Sequence, residues 1–145
     1  MLPAFWRLRV VNNTDQTFTY DNGARLEVEV TPWKIGSSGM EQGSNIVDDL
    51  DLDAGENIAA AGQNEGDVQT NTSNLYIGFT GIFRAIADQN STDGTLDLYI
   101  EFSADNTNWP SDQADFDVTK DCYLLAKLNF STDAEDEGRA CNISF

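Results

Sequence analysis

The chain has 145 residues, a length typical of a single domain that can bury a core without disulfides or bound metal. Its 25 acidic residues against 8 basic ones give a formal net charge of −17, which disfavours nucleic acid and anionic membranes as partners. The sequence has no histidine, and it lacks both a phosphate-binding glycine loop and an apolar run of membrane-spanning length. We therefore expect no enzyme activity, no catalytic residues and no cofactor.

The first residues lack the charged-then-apolar order of a signal peptide, so we expect a chain that is made in a cytosol. Cys122 and Cys141 both lie in apolar, strand-like contexts that would allow a bridge between neighbouring strands. In a cytosol, two buried free thiols are the favoured interpretation.

Alternating apolar residues predict a first strand over residues 5–11. Trp6, Leu8 and Val10 form one row, while Arg7 and Arg9 form the other. Because successive side chains of a strand point to opposite faces, the apolar row is expected to face a core.

A β-hairpin is predicted next, because the strand-like segments 17–20 and 25–30 flank Asn22-Gly23. This dipeptide tolerates the positive φ angles that tight hairpin turns need. Pro32 has no backbone N–H group to donate, so it is expected to end the second strand at a sheet edge or exit.

Residues 35–72 are predicted to be rich in loops, with short strands near residues 46–52 and 58–61. Three aspartates at alternate positions lack the glycine and glutamate spacing of a calcium loop. We interpret them as a solvated edge that discourages strand addition. They are Asp49, Asp51 and Asp53.

Alternation returns over residues 75–83, where Gly78 and Gly81 indicate a bulge or the close approach of another backbone. A turn cluster at residues 88–94 leads into a strand over residues 95–103, which is expected to be half-buried. The apolar row of this strand is Leu96, Leu98, Ile100 and Phe102, and its polar row is Asp97, Tyr99, Glu101 and Ser103.

A polar loop around Trp109 precedes another alternating strand, and residues 140–145 form the last predicted strand. The apolar row of the strand after the loop is predicted to be Cys122, Leu124, Ala126, Leu128 and Phe130. Short strands at this spacing predict an all-β fold, a single antiparallel β-sandwich domain over residues 1–145 of jelly-roll or Greek-key type.

Two groups of side chains are candidates for binding. The aspartates of the Trp109 loop are weak candidates for calcium, because Asp and Asn are also common turn residues; these are Asp105, Asp112, Asp115 and Asp117. Aromatic side chains could stack on sugars, although outward tyrosines also pack across strands; these are Tyr76, Tyr99, Trp109 and Tyr123.

The segment Leu98-Tyr-Ile-Glu-Phe-Ser-Ala-Asp-Asn-Thr-Asn-Trp-Pro-Ser111 resembles small virion-associated structural proteins of tailed bacteriophages. In these proteins a strand leads into an Asp-Gly or Asn-rich turn that ends in Trp-Pro-Ser, and here Asp105-Asn106 replaces Asp-Gly. The similarity continues through Ala114-Asp-Phe-Asp117 and includes the earlier segment Leu75-Tyr-Ile-Gly-Phe-Thr-Gly81.

The resemblance implies a non-enzymatic β-sandwich module that decorates a capsid or attaches to a tail, within a virion assembled in the host cytoplasm. Capsid or tail proteins would be its partners, and it would self-associate, for example as a trimer. The acidic exterior would complement a basic patch on the particle. The alternative is a carbohydrate-binding or host-receptor-binding β-sandwich that uses the four aromatic residues.

Overall fold

The computed structural model describes residues 1–19, 25–48, 57–87, 92–132 and 137–145. Nearly all regular structure in these ranges is β-strand. The exceptions are a 3-10 turn at Pro110–Asp112 and one α-helical turn, α1, at Val118–Asp121. These two turns are the helical elements of the described ranges, and neither is long enough to cross a membrane. The strands are β1 (Phe5–Thr14), β2 (Phe18–Thr19), β3 (Arg25–Gly36), β4 (Gly39–Gln42), β5 (Ile46–Asp48), β6 (Asn57–Ile58), β7 (Gln63–Glu65), β8 (Gln69–Thr70), β9 (Gly78–Ala87), β10 (Thr92–Ser103), β11 (Tyr123–Thr132) and β12 (Glu137–Ser144).

Two antiparallel sheets pack against each other, which confirms the predicted all-β sandwich. Sheet 1 has the strand order β11-β10-β1-β7, and β8 also pairs with β1. Sheet 2 has the order β12-β9-β3-β4, and β5 also pairs with β3. The chain changes sheet five times, between β1 and β3, β5 and β7, β8 and β9, β9 and β10, and β11 and β12. Three of the pairs, β1–β10, β3–β9 and β9–β12, therefore join strands that are distant in sequence, as in Greek-key sandwiches.

The core lies between the two sheets and is built from the predicted inward rows. Trp6, Leu8 and Val10 of β1 are buried, as predicted. The ring centroids of Trp6 and Phe79 lie 5.2 Å apart in a stacked arrangement that joins the two sheets. The other large core residues include Val28, Val30, Phe83, Leu96, Leu98, Ile100, Leu128 and Phe130.

The described residues do not form the predicted hairpin across Asn22-Gly23. β2 pairs with β6, and β3 pairs with β9. The turn dipeptide itself lies outside the described residues. The physical reason is the sandwich topology: β2 and β3 belong to different sheets, so they do not pair with each other.

Pro32 does not end its strand, because β3 continues to Gly36. One neighbour of β3 changes at this point: β5 pairs with Val28–Val30, and β4 pairs with Trp33–Gly36. A proline, which has no backbone N–H group, is tolerated where the hydrogen-bond ladder on one side of a strand is interrupted.

The predicted close approach at Gly78 and Gly81 is confirmed. A Cβ atom on Gly78 would lie 2.0 Å from the carbonyl oxygen of Phe145, and one on Gly81 would lie 2.0 Å from that of Glu29. The strand begins at Gly78 rather than at Leu75, which is exposed and has a positive φ of 54°.

The predicted inward row of β11 is wrong at Leu124, because a bulge changes which residues face the core. The pairing with β10 shifts register between Leu98 and Tyr99, which leaves Leu125 without a directly opposite partner. Leu125 packs on the core instead, and Leu124 is 48 % exposed. An extra residue in one strand reverses the faces that follow it, so simple alternation fails there.

The predicted short strands in residues 35–72 are present as β5 and β6, and β4, β7 and β8 are additional. The aspartates at positions 49, 51 and 53 lie outside the described residues. Cys122 and Cys141 are free thiols, as expected, but only Cys122 is buried, and Cys141 is half-buried.

Candidate functional site

The outer face of sheet 1 is covered by the chain itself over β1 and β10, although Leu124 of β11 remains 48 % exposed. The polar row of β10 was expected to face solvent, but none of its side chains is more than 6 % exposed. The reason is the segment between β10 and β11, here called the covering segment. It folds back over the sheet and places Trp109 and Phe116 above two arginines of β1. The prediction of a half-buried β10 is therefore wrong, since both faces of this strand are buried.

Beneath this segment lies an ionic cluster of Arg7, Arg9, Glu65 and Glu101, here called the arginine–glutamate cluster. The Nε atom of Arg7 donates to Glu101 at 2.6 Å, and its Nη1 atom donates to Glu65 at 2.8 Å. Nη2 of Arg9 donates to Glu101 at 3.0 Å and also binds Glu65. Two positive and two negative groups therefore compensate one another in a site where Glu101 is 0 % exposed.

The covering segment closes the arginine–glutamate cluster through direct contacts. The hydroxyl of Ser111 accepts a hydrogen bond from Arg7 at 2.9 Å and donates one to Glu101 at 3.3 Å. The guanidinium carbon of Arg7 lies 4.4 Å from the centre of the Trp109 ring. Stacking of arginine on tryptophan adds a cation–π attraction that strengthens when water is excluded. Glu101 is therefore out of reach of a ligand, and the cluster is a structural site.

The four candidate calcium ligands have separate roles in this segment. The carboxylate of Asp105 accepts hydrogen bonds from the backbone N–H groups of Thr107 and Asn108, both at 2.9 Å. These bonds hold the pKa of Asp105 well below its usual value. Asp112 accepts from the backbone N–H of Trp109 at 3.0 Å, and Asp115 is exposed.

Asp117 caps the single turn of α1. Its carboxylate binds Lys120 and accepts hydrogen bonds from the hydroxyl and the backbone N–H of Thr119, at 2.6 and 3.0 Å. The lysine bond first, and then the threonine bonds, lower the pKa of Asp117 to about 2. Within the described ranges, no three acidic or thiol side chains come together as a metal site would require.

The four candidate aromatic residues do not share one surface. Tyr99 and Trp109 are each 6 % exposed, and burial is the main reason why the pKa of Tyr99 is raised. Tyr76 is half-buried beside Lys34. Tyr123 is 62 % exposed and packs against Phe102 and Phe145, with ring centroids 5.6 and 6.3 Å away.

The outer face of sheet 2 is open, in contrast. Arg84 lies there with Glu27 and Glu29, and its Nη2 atom is 3.0 Å from Glu29. Beside this group is a shallow depression of about 500 Å³. Hydroxyl, amide and carboxylate side chains line most of it: Glu29, Thr31, Asn45, Thr80, Asn142 and Ser144.

A second exposed feature of sheet 2 is the β3–β4 hairpin. Ile35 and Met40 lie directly opposite each other in this pair and are 64 % and 66 % exposed. Opposite residues of an antiparallel pair point to the same face, so the two side chains form one small apolar surface, here called the hairpin knob.

Comparisons of the chain with protein-family models, with curated proteins and with solved structures give no match. Its function therefore has to be inferred from its own residues.

Proposed function

We propose that this chain is a non-enzymatic structural protein of a bacteriophage virion, a β-sandwich module that docks on the capsid or tail surface. The observation that carries the proposal is the hairpin knob of Ile35 and Met40, an apolar surface on a chain with a net charge of −17. Self-association, for example as a trimer, is part of the same proposal.

The hairpin presents the knob on a supported backbone. Gly39 adopts a φ of 119° after the Ser37-Ser38 turn, a conformation that glycine accommodates without steric cost. Nζ of Lys34 lies 3.8 Å from Glu41 across the hairpin and also faces the ring of Tyr76. A preorganised hairpin loses little conformational entropy when a partner covers it.

The chemistry of the knob and its surroundings indicates the kind of partner. Large apolar side chains that enter a pocket supply most of the free energy of an interface, and the polar rim adds selectivity. An acidic domain selects a partner with basic residues around such a pocket, because complementary charge speeds association and disfavours acidic surfaces. A capsid or tail protein with an apolar pocket and a basic rim fits this description.

The assignment to a virion is supported by the resemblance of residues 98–111. These residues form the second half of β10 and the start of the segment that covers sheet 1. They carry Glu101 and Ser111 of the buried contacts, so the segment that resembles phage proteins stabilises the fold.

The test has two steps. Mass spectrometry of purified particles of the phage whose genome encodes the chain should detect its peptides at a stoichiometric level. Ile35→Asp and Met40→Asp should then each weaken binding of the purified chain to particles that lack it.

Val47→Asp is the matched control, because Val47 is 61 % exposed on the neighbouring β5 and lies outside the knob. Its binding to particles should be unchanged. Particles without the chain would refute the proposal. Equal binding of all three variants would show that the hairpin knob is not the docking surface.

A second candidate function, binding of a carbohydrate or host receptor, is favoured by a different observation. The depression on sheet 2 collects hydrogen-bonding side chains on an exposed surface. The aromatic set first considered is divided between buried and exposed positions, so this function rests on sheet 2 instead.

A further inference from the structure

Three strands of sheet 2 bring short polar side chains together on its outer face. Thr80 of β9 is paired with Thr31 of β3 on one side and with Ser144 of β12 on the other. The next outward position of β9 is Ile82, which is paired with Glu29 and Asn142. Neighbouring strands are about 4.8 Å apart, so these groups form a compact grid of donors and acceptors around one apolar side chain.

The polar groups of this grid are of two kinds. The carboxylate of Glu29 is fixed, because it accepts hydrogen bonds from Asn45 at 2.8 Å and from Arg84 at 3.0 Å. In the described part of the chain, by contrast, the side chains of Thr80, Asn142 and Ser144 make no hydrogen bond. The face thus offers an oriented acceptor next to unused hydroxyl and amide groups.

An indole ring lies beside the grid. Trp33 is two residues from Thr31 in β3, so both side chains point to the same face. A Cβ atom on Gly78, the residue opposite, would lie 3.2 Å from Cζ2 of Trp33. The indole therefore lies against the bare backbone of Gly78, and Trp33 is half-buried beside Thr31 at the edge of the depression.

We propose that this face of sheet 2 binds a neutral glycan. A sugar ring has apolar C–H groups on its faces and hydroxyls on its edges, so it can stack on Trp33 while its hydroxyls pair with Thr80, Asn142 and Glu29. Acidic glycans are disfavoured by the carboxylates of Glu27 and Glu29 and by the net charge of −17. The inference rests on the second candidate function and is independent of docking through the hairpin knob.

The test is an array of neutral and acidic oligosaccharides probed with the purified full chain, followed by calorimetric titration of the strongest ligand. Signals should be confined to neutral glycans. Trp33→Ala should weaken binding about tenfold or more, because the stacking surface is lost. Asn142→Ala should weaken it about fivefold, as expected for one hydrogen bond.

Tyr123→Ala is the matched control, since it removes an exposed aromatic side chain from β11 in sheet 1 and should leave binding unchanged. Asn142 is exposed, so its variant keeps the test valid if Trp33→Ala fails to fold. Glycan binding that is lost in Tyr123→Ala but kept in both sheet 2 variants would overturn this site while leaving the second candidate function intact. The absence of any neutral ligand would refute this site, whereas binding of an acidic glycan or a protein receptor instead would leave the second candidate function standing; neither result bears on docking to a particle.

Discussion

Arginine and glutamate meet on the outer faces of both sheets, but in opposite environments. In the arginine–glutamate cluster of sheet 1 the Arg9 side chain is 5 % exposed and Glu101 is fully buried. On sheet 2, Arg84 is 48 % exposed, with Glu27 at 32 %. Buried partners depend on each other, because removal of one leaves an uncompensated charge away from water. Exposed partners are replaced by water and screened by salt.

This difference separates the two faces by role. The cluster and the segment that covers it make the outer face of β1 and β10 part of the folded interior, so the residues there contribute to stability. Sheet 2 keeps its outer face and its hairpin in solvent, so substitutions there should affect binding more than folding.

The largest effect is expected when the cluster is broken. Glu101→Ala removes an acceptor shared by Arg7, Arg9 and Ser111 and should lower the free energy of unfolding by about 3–5 kcal/mol. Urea denaturation measures this change. Arg84→Ala is the control on the open face and should unfold at nearly the wild-type midpoint. Similar losses in the two variants would mean that the covering segment does not exclude water from sheet 1.

A smaller loss is expected from crowding the backbone of sheet 2, where stability depends on strand packing rather than on ion pairs. Gly81→Ala places a methyl group 2.0 Å from the carbonyl oxygen of Glu29, a contact that backbone must move to relieve. We expect a loss of about 1–3 kcal/mol. Gly138→Ala in β12 is the matched control, since its nearest atom would be 3.9 Å away. If thermal denaturation gives both variants the same midpoint, the close approach at Gly81 is not present.

The smallest expected effect is on the pH dependence of stability, through Asp117 in the segment that covers sheet 1. The pKa of Asp117 is about 2 in the folded chain, below the value of about 3.9 in an unfolded one. A lowered folded pKa stabilises the fold above about pH 4, and the contribution disappears as the pH falls through about 2. Asp117→Asn should therefore melt slightly below the wild type at pH 7, and the gap should close towards pH 2. A gap that is the same at both pH values would contradict this role.

Much of the fold could be predicted from local sequence, because inward rows of apolar residues repeat at every second position. β1 shows this in Trp6, Leu8 and Val10, and the two glycines of β9 correctly indicated a close backbone. The strand pairing predicted from Asn22-Gly23 was wrong for the described strands. A turn preference is local, whereas the partner of β3 is determined by how the two sheets pack.

The covered face could not be predicted in the same way. Glu101 and Arg7 are 94 residues apart in sequence, and their contact requires the register between β1 and β10. In the sequence, the polar residues of a covered strand face alternate in the same way as those of a face exposed to water. The available signal was arginine at alternate positions of β1 together with a glutamate in the polar row of β10, but it becomes informative only after the two strands are paired.

Hydroxyl-radical footprinting with mass spectrometry tests the contrast between the covered and open faces most directly, when each residue is compared in the native and unfolded chain. Tyr99 and Trp109 should be strongly protected in the native chain, while Met40 and Tyr123 should be oxidised at nearly the unfolded rate. Native oxidation of Trp109 as complete as that of Met40 would show that the segment after β10 does not cover sheet 1, and would contradict the account.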